Sequence, residues 1–211
     1  MSIKAVLWDI DGTLVDSEPL HLQALLAVCK QFGVDISDLP DDRFIGVDLN
    51  GVWDALKSRF PENLTVGAWK TLIDDCYAHH SDTLRIMPGA IDTIHSLHQL
   101  GYRQAAVSNS GRRVVDTNLG FLRFNEIFEF SISLDDVGEA KPSPVPYLEA
   151  LRQMEIEPSQ GLAVEDSLSG ARSAQAAGLA LVAYRNPSLP ADVWIDDLSE
   201  LKVHLTQQKL T

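Results

Sequence analysis

A short apolar run that ends in two carboxylates constrains the fold of this chain more than any other feature. Residues 5–8 are Ala-Val-Leu-Trp, a pattern typical of a β-strand buried on both faces. Asp9 and Asp11 follow, and Gly12 marks the turn at which such a strand should end. Buried carboxylates are costly unless a cation or a shared proton compensates them, and open parallel sheets bind ligands beyond the carboxyl ends of their strands. The pattern indicates an acidic pair that holds a hard metal ion, although a polar Asp-Gly turn fits the same residues.

Short apolar runs alternate with amphipathic helical patterns through most of the remaining chain. Further strands are predicted at 104–109, 128–132, 161–164, 179–183 and 193–195. Helices are predicted between and after them, at 88–101, from Ser110 to 119, at 144–154, up to Gly178, and at 198–208. This alternation predicts an α/β fold, a Rossmann-like parallel sheet covered by helices on both faces.

One long stretch interrupts the alternation directly after the first strand. Residues 16–84 show helical periodicity without any strand pattern, including a helix capped near Ser17 and another capped at Thr65. We therefore predict a core formed by residues 1–15 and 85–211, and an inserted all-helical cap domain at 16–84. An insert at this place would lie over the carboxyl edge of the sheet.

Composition limits the classes of partner. The chain has 211 residues and a formal net charge of -13, which disfavours nucleic acid and anionic membranes as partners. A phosphorylated small molecule remains compatible, because a bound metal and a few basic residues can invert the local field. Cys29 and Cys76 fit small core residues in a reducing compartment, and neither a signal peptide nor a membrane span is recognisable. We expect a cytoplasmic protein that is a monomer or a weak dimer.

Polar residues stand where three of the predicted strands end, and a single lysine precedes a later helix. They are Asp9 and Asp11, Ser108 and Asn109, Glu165 and Asp166, and Lys141. Parallel strands place their carboxyl ends on one edge of a sheet, so Asp9 and Asp166 can share a cation although they are distant in sequence. Carboxylate oxygens, with room for water and phosphate, suit Mg²⁺.

These segments resemble, in order and spacing, the four motifs of the haloacid dehalogenase superfamily. Residues 9–17, DIDGTLVDS, resemble the first motif, and Ser108 resembles the second. The KPSP segment at 141–144 resembles the third, and the EDS segment at 165–167, followed by Gly170, resembles the fourth. The resemblance covers nearly the whole chain. The helical insert is similar to the type-one cap of the β-phosphoglucomutase-like and phosphoglycolate-phosphatase-like branch.

The resemblance implies a phosphoryl-transfer mechanism with named roles. Asp9 would attack phosphorus to give an aspartyl-phosphate. Asp11 would first protonate the leaving oxygen and then activate the attacking water. Ser108 would hydrogen-bond the transferring phosphoryl group, and Lys141 would neutralise its charge and orient Asp9. Charge compensation and positioning are what such a transfer requires.

The resemblance also implies a Mg²⁺ site and substrate contacts. The ion would be held by the carboxylates of Asp9 and Asp166 and the backbone carbonyl of Asp11. Glu165 would assist directly or through water. Substrate contacts are expected from Asn109 and from two cap positions that match the β-phosphoglucomutase pattern, His21 and Gly46.

The same residues favour a phosphatase over two related activities. Carbon-halide displacement needs neither Mg²⁺ nor a general acid two residues after the nucleophile, whereas Asp166 and Asp11 supply both. The mutase pattern places an arginine three residues after the cap-loop glycine, where this chain has Leu49, and neither Arg43 nor Lys57 matches that position. We therefore expect a Mg²⁺-dependent phosphatase of small phosphorylated metabolites such as sugar phosphates. A phosphosugar mutase and a non-catalytic ligand-binding module remain the alternatives.

Overall fold

The computed structural model describes residues 2–40, 43–44, 47, 49–124 and 126–208. The chain divides into two compact units. The core unit comprises Met1–Asp16 and Arg85–Thr211, and the helical unit comprises Ser17–Leu84. Within the described ranges, no helix is both long enough and apolar enough to cross a membrane.

The described residues of the core unit form eight strands. They are β1 Ala5–Trp8, β2 Val15–Asp16, β3 Arg85–Ile86, β4 Arg103–Val107, β5 Ser131–Ile132, β6 Gly161–Glu165, β7 Ala180–Tyr184 and β8 Val193–Ile195. Six of them form one sheet in the order β5-β4-β1-β6-β7-β8, and every neighbouring pair is parallel. The predicted α/β fold with a parallel sheet is confirmed.

The α-helices belong to both units. The helical unit contains α1 Glu18–Gln31, α2 Leu49–Leu56 and α3 Val66–His79. The core unit contains α4 Ala90–Gln99, α5 Arg112–Leu122, α6 Leu134–Val137, α7 Val145–Gln153, α8 Leu168–Ala176 and α9 Glu200–Gln208. Short 3₁₀ turns occupy Lys57–Arg59, Ser81–Thr83 and Pro158–Gln160. The Thr65 side chain caps α3 as predicted, since it accepts a hydrogen bond from the Ala68 amide at 3.2 Å.

Three local predictions differ from the structure. Strands β2 and β3 form a small antiparallel ladder that the sequence did not predict, because two residues are too few to show a period of two. The third predicted strand, 128–132, is reduced to Ser131–Ile132. Helix α5 begins after Gly111 and not at Ser110, because the Ser110 hydroxyl bonds Asp11 instead of capping the helix.

The register of β1 determines which side chains meet at the edge of the sheet. This strand lies between β4 and β6, with Trp8 opposite both Ala106 and Val164. All four residues of β1 are fully buried, as its continuous apolar sequence predicts. Because the three strands end in step, the residues that follow them emerge side by side.

Candidate active site

The aligned strand ends bring the predicted polar residues of the core together. Asp9 follows β1, and its amide donates to the Val164 carbonyl at 3.1 Å, which continues the pairing with β6. Ser108 follows β4, and its amide donates to the Ile132 carbonyl at 2.9 Å. Glu165 is the last residue of β6. Backbone hydrogen bonding therefore fixes the positions from which these side chains project.

Lys141 is the cation that compensates the buried carboxylates. Its ammonium donates to Asp9 Oδ1 at 2.7 Å, to Glu165 Oε1 at 2.6 Å and to the Val107 carbonyl at 2.7 Å. The Lys141 residue is only 5% exposed and Glu165 is fully buried, so solvent screens these ion pairs weakly. The three donors of the ammonium thus have three acceptors, and they fix Asp9 and Glu165 relative to each other.

The side-chain amide of Asn109 makes two hydrogen bonds with the backbone of Lys141, one through its oxygen and one through its nitrogen. The Lys141 amide donates to Asn109 Oδ1 at 2.7 Å, and Asn109 Nδ2 donates to the Lys141 carbonyl at 3.2 Å. The lysine lies in the loop before α7, where side-chain hydrogen bonds take the place of a regular element. Asn109 therefore positions the lysine, and its expected contact with substrate stays a prediction.

Burial and mutual repulsion perturb the ionisation of the cluster. Burial, followed by the charge of Glu165, raises the pKa of Asp9 well above its usual range, although Lys141 opposes the shift. The same two causes raise the pKa of Asp166 to about 7. Burial by itself would lower the pKa of Lys141, but the Asp9 and Glu165 charges outweigh it and raise that pKa, so the ammonium stays charged. The negative charge at this edge exceeds what Lys141 compensates.

The excess negative charge fits a divalent cation. Asp9, Glu165 and Asp166 each offer one carboxylate oxygen, and these atoms lie within 4.8 Å of one another. Thr13 Oγ1 donates to Asp166 Oδ1 at 3.4 Å. Gly12 has a φ of +85°, and a side chain there would collide with the Asp166 carboxylate. An all-oxygen donor set with this charge is one that Mg²⁺ accepts.

Asp11 has a different environment from the acidic cluster. Ser108 Oγ donates to Asp11 Oδ2 at 3.0 Å, and Ser110 Oγ donates to the same oxygen at 2.9 Å. Asn118 Nδ2 donates to Asp11 Oδ1 at 3.1 Å. These three donors to its carboxylate are neutral, whereas Asp9 pairs with a cation. Two carboxylates in contrasting environments suit two different chemical roles.

Three residues that contact the site were not predicted from the sequence to belong to it: Tyr147, Ser110 and Asn118. The Tyr147 hydroxyl donates to Glu165 Oε1 at 2.6 Å, and its ring centroid lies 5.0 Å from the Lys141 ammonium. Burial, followed by the Glu165 charge, raises the pKa of Tyr147 well above its usual range, which keeps the donating proton in place. Tyr147 and Asn118 have the helical spacing of core residues, so the pattern carries no signal of their polar contacts.

The predicted substrate-binding residues of the insert are not part of the core unit. His21 lies in α1 of the helical unit, where its ring centroid is 4.5 Å from that of Tyr77. Gly46 lies outside the described residues. Their contacts with substrate stay predictions.

Comparison with known proteins agrees with this arrangement. Residues 6–184 match the profile of the haloacid dehalogenase-like hydrolases. Pyrophosphatase PpaX of Anoxybacillus flavithermus is 27% identical, over 79% of this chain and 76% of the relative. Protein CbbY of Rhodobacter capsulatus is 31% identical, over 86% and 85% of the two chains.

Solved structures show the same fold. The crystal structure of CbbY from Rhodobacter sphaeroides in complex with phosphate superposes with a TM-score of 0.84 at 26% identity, and covers 94% of this chain and 96% of that one. A CbbY mutant in complex with xylulose-(1,5)-bisphosphate superposes equally well, with a TM-score of 0.84. Because the family profile spans residues 6–184 and a relative is 31% identical over most of both chains, this chain belongs to the haloacid dehalogenase-like hydrolases, as its four motifs implied.

Proposed function

We propose that this hydrolase is a Mg²⁺-dependent phosphatase that removes phosphate from small phosphorylated metabolites through an aspartyl-phosphate. The observation that carries the proposal is the Lys141 ammonium, which bridges Asp9 and Glu165 at the edge of the sheet. A phosphate ester is anionic and a bare carboxylate would repel it. A buried lysine beside the carboxylate reduces that repulsion and aligns the nucleophile.

The two carboxylates of the first motif divide the chemistry between them. In the first step, an Asp9 oxygen bonds to phosphorus while the bond between phosphorus and the ester oxygen breaks. The leaving oxygen takes a proton from Asp11. In the second step, Asp11 takes a proton from water, the water oxygen bonds to phosphorus, and the Asp9–phosphorus bond breaks. One difficult hydrolysis thereby becomes two easier displacements.

The acidic cluster supplies the ligands for the proposed ion. Asp9 and Asp166, with the Asp11 carbonyl, would hold Mg²⁺, and Glu165 would assist directly or through water. When bound, the ion supplies positive charge against the phosphoryl oxygens. Ser108 would hydrogen-bond the same group, and the positive charge of Lys141 would offset its negative charge.

We further propose that the helical unit acts as a cap that selects the substrate. The core strands β2 and β3 pair as an antiparallel ladder directly before and after this insert. The relatives support small phosphorylated substrates, since PpaX is named a pyrophosphatase and CbbY was crystallised with a sugar bisphosphate. His21 and Gly46 are the proposed cap contacts. Closure of such a cap would exclude water and sort substrates by their leaving group.

A phosphate-release assay tests the proposal. The panel contains pyrophosphate, sugar monophosphates, sugar bisphosphates and phosphoglycolate, each with Mg²⁺ or with EDTA. We expect Mg²⁺-dependent release by the wild type and loss of at least about a hundredfold in Asp9→Asn. Asp92→Asn, an exposed aspartate of α4, removes the same charge away from the site and should leave activity unchanged.

Two outcomes contradict the proposal. Release that persists in Asp9→Asn excludes Asp9 as the nucleophile. Isomerisation of a sugar phosphate without net phosphate release identifies a mutase, which retains the phosphoryl group on the sugar.

A further inference from the structure

A buried asparagine on the inner side of α5 contacts Asp11 and belongs to none of the four motifs. Asn118 is fully buried, and the other buried residues of this helix are apolar: Val114, Val115, Leu119 and Leu122. A buried amide costs free energy unless it is hydrogen-bonded. Asn118 Nδ2 donates to Asp11 Oδ1 at 3.1 Å. This hydrogen bond therefore connects the buried face of α5 with Asp11 at the carboxyl edge of the sheet.

The other oxygen of Asp11 is held from a different direction. Ser108 Oγ and Ser110 Oγ donate to Oδ2 at 3.0 and 2.9 Å. Rotation of the carboxylate away from this orientation breaks a hydrogen bond at one oxygen or the other. All three donors come from one segment, residues 108–118, which leaves β4 and enters α5. The direction of the Asp11 side chain thus depends on where α5 is seated.

Arg112 fixes the start of α5. Its amide donates to Asp135 Oδ2 at 2.7 Å, and its guanidinium donates to the Ser131 hydroxyl at 2.8 Å and the Ser131 carbonyl at 3.0 Å. The same guanidinium pairs with Asp136 and with Asp116. Arg112 is therefore engaged in anchoring the helix to β5 and α6. Asn118 lies less than two turns further along α5, so the anchored start of the helix also fixes the position of Asn118.

We propose that Asn118 is a positioning residue that holds Asp11 in the orientation from which it protonates the leaving oxygen. This role rests on the proposed phosphatase function. A hydroxyl can donate or accept, so Ser108 and Ser110 can bond Oδ2 with or without a proton. The amide N–H of Asn118 can only donate, so its bond fixes Oδ1 as the acceptor and thereby sets the rotation of the Asp11 carboxyl group.

The test compares two esters of similar size that differ in their need for an acid. The esters are p-nitrophenyl phosphate and benzyl phosphate. The p-nitrophenolate leaving group departs without a proton, whereas the benzyl alkoxide requires one. The parameter measured is kcat/KM, because it reports only the steps up to and including the first irreversible one. It therefore excludes the later step in which Asp11 acts as a base. Asn118→Leu removes the donor at similar size. Thr117→Val is the matched control, since the Thr117 hydroxyl donates to the Arg113 carbonyl of the same helix, at 2.8 Å, and has no hydrogen bond to Asp11 among the described residues.

We expect Asn118→Leu to lower kcat/KM for benzyl phosphate by at least about tenfold and for p-nitrophenyl phosphate by less than about threefold. Ser110→Ala should show the same selective loss, whereas Thr117→Val should affect neither ester. Equal losses on both esters in Asn118→Leu, or no loss on either, would overturn the positioning role. If the wild type releases phosphate from neither ester and from no member of the metabolite panel, the proposed function, on which the role depends, is overturned instead.

Discussion

Among single side chains, Tyr147 shows how the buried charges of this site are kept in place. Its hydroxyl and the Lys141 ammonium both donate to Glu165 Oε1, at 2.6 Å each. Glu165 is fully buried, and an ionised carboxylate in that position requires several donors. Lys141 in turn orients Asp9. Tyr147 therefore acts on the proposed nucleophile through two intervening side chains.

Replacement of Tyr147 by phenylalanine isolates the contribution of that hydroxyl. We expect Tyr147→Phe to lower the free energy of unfolding by about 1–3 kcal/mol, because a buried charged acceptor loses a donor. Phosphate release should fall with it, as Glu165 and Lys141 become less well ordered. Tyr102→Phe is the control, since the Tyr102 hydroxyl contacts the Leu205 carbonyl at 3.4 Å. Denaturant unfolding and phosphatase rates would measure both effects, and equal rates in the two variants would contradict the expectation.

The connection between β6 and α8 explains a glycine that the fourth motif contains. Ser167 caps α8 by accepting from the Gly170 amide at 3.1 Å, and its hydroxyl donates to Glu165 Oε2 at 3.3 Å. This brings the first turn of the helix against the last side chain of the strand. A Cβ atom at Gly170 would collide with the Glu165 carboxylate. The glycine is therefore required by the close approach of two elements.

A pair of glycine-to-alanine substitutions in two helices tests this packing. We expect Gly170→Ala to displace Glu165 from Lys141, to destabilise the fold by about 1–3 kcal/mol and to reduce phosphate release. Gly120→Ala in α5 introduces the same methyl group at an exposed position, where no described atom beyond its chain neighbours and the backbone of its own helix lies within 4 Å. It should stabilise the helix by about 0.5–1 kcal/mol and leave activity unchanged. Thermal unfolding and activity assays distinguish the two cases, and a neutral Gly170→Ala would show that the site accommodates the methyl group.

For the whole molecule, excess negative charge is concentrated where the strands of the core end. The net charge is -13, and the cluster of Asp9, Glu165 and Asp166 lies at the carboxyl edge of the sheet. Burial and the Glu165 charge raise the pKa of Asp166 to about 7, from a usual value of 3.8. Between these two pKa values, Asp166 is therefore still protonated in the folded protein but already ionised in the unfolded chain. The free energy of unfolding of the metal-free protein should fall as the pH rises from the lower of these values to the higher.

Binding of Mg²⁺ should be linked to pH with a defined sign. The cation competes with the protons on Asp166 and Asp9, so the increase in melting temperature caused by Mg²⁺ should grow from about pH 5 to about pH 8. Thermal unfolding with Mg²⁺ or with EDTA at several pH values measures this increase. Asp166→Asn should reduce both the increase and its dependence on pH. An increase of the same size at both ends of the range would contradict metal binding at this cluster.

The parts of the fold that were predictable are those encoded by local patterns. Apolar runs predicted the four central strands of the sheet, β4, β1, β6 and β7, because strands buried on both faces need such runs. The two-residue strands Val15–Asp16 and Arg85–Ile86 were missed, since pairing between distant segments and not local periodicity forms them. The start of α5 was misplaced by one residue because Ser110, a good capping residue, bonds Asp11 instead.

Sequence alone determined the order and spacing of Asp9, Ser108, Lys141 and Asp166, and with them the family. The rule that parallel strands end on one edge explains why these distant residues were expected to meet. Only the tertiary structure decided which side chains hold them. Tyr147 and Asn118 occupy helix positions that predict apolar burial, and their polar atoms reach the site because the helices that carry them pack against particular strand ends. Such contacts depend on the packing of elements far apart in the chain, which no local pattern records.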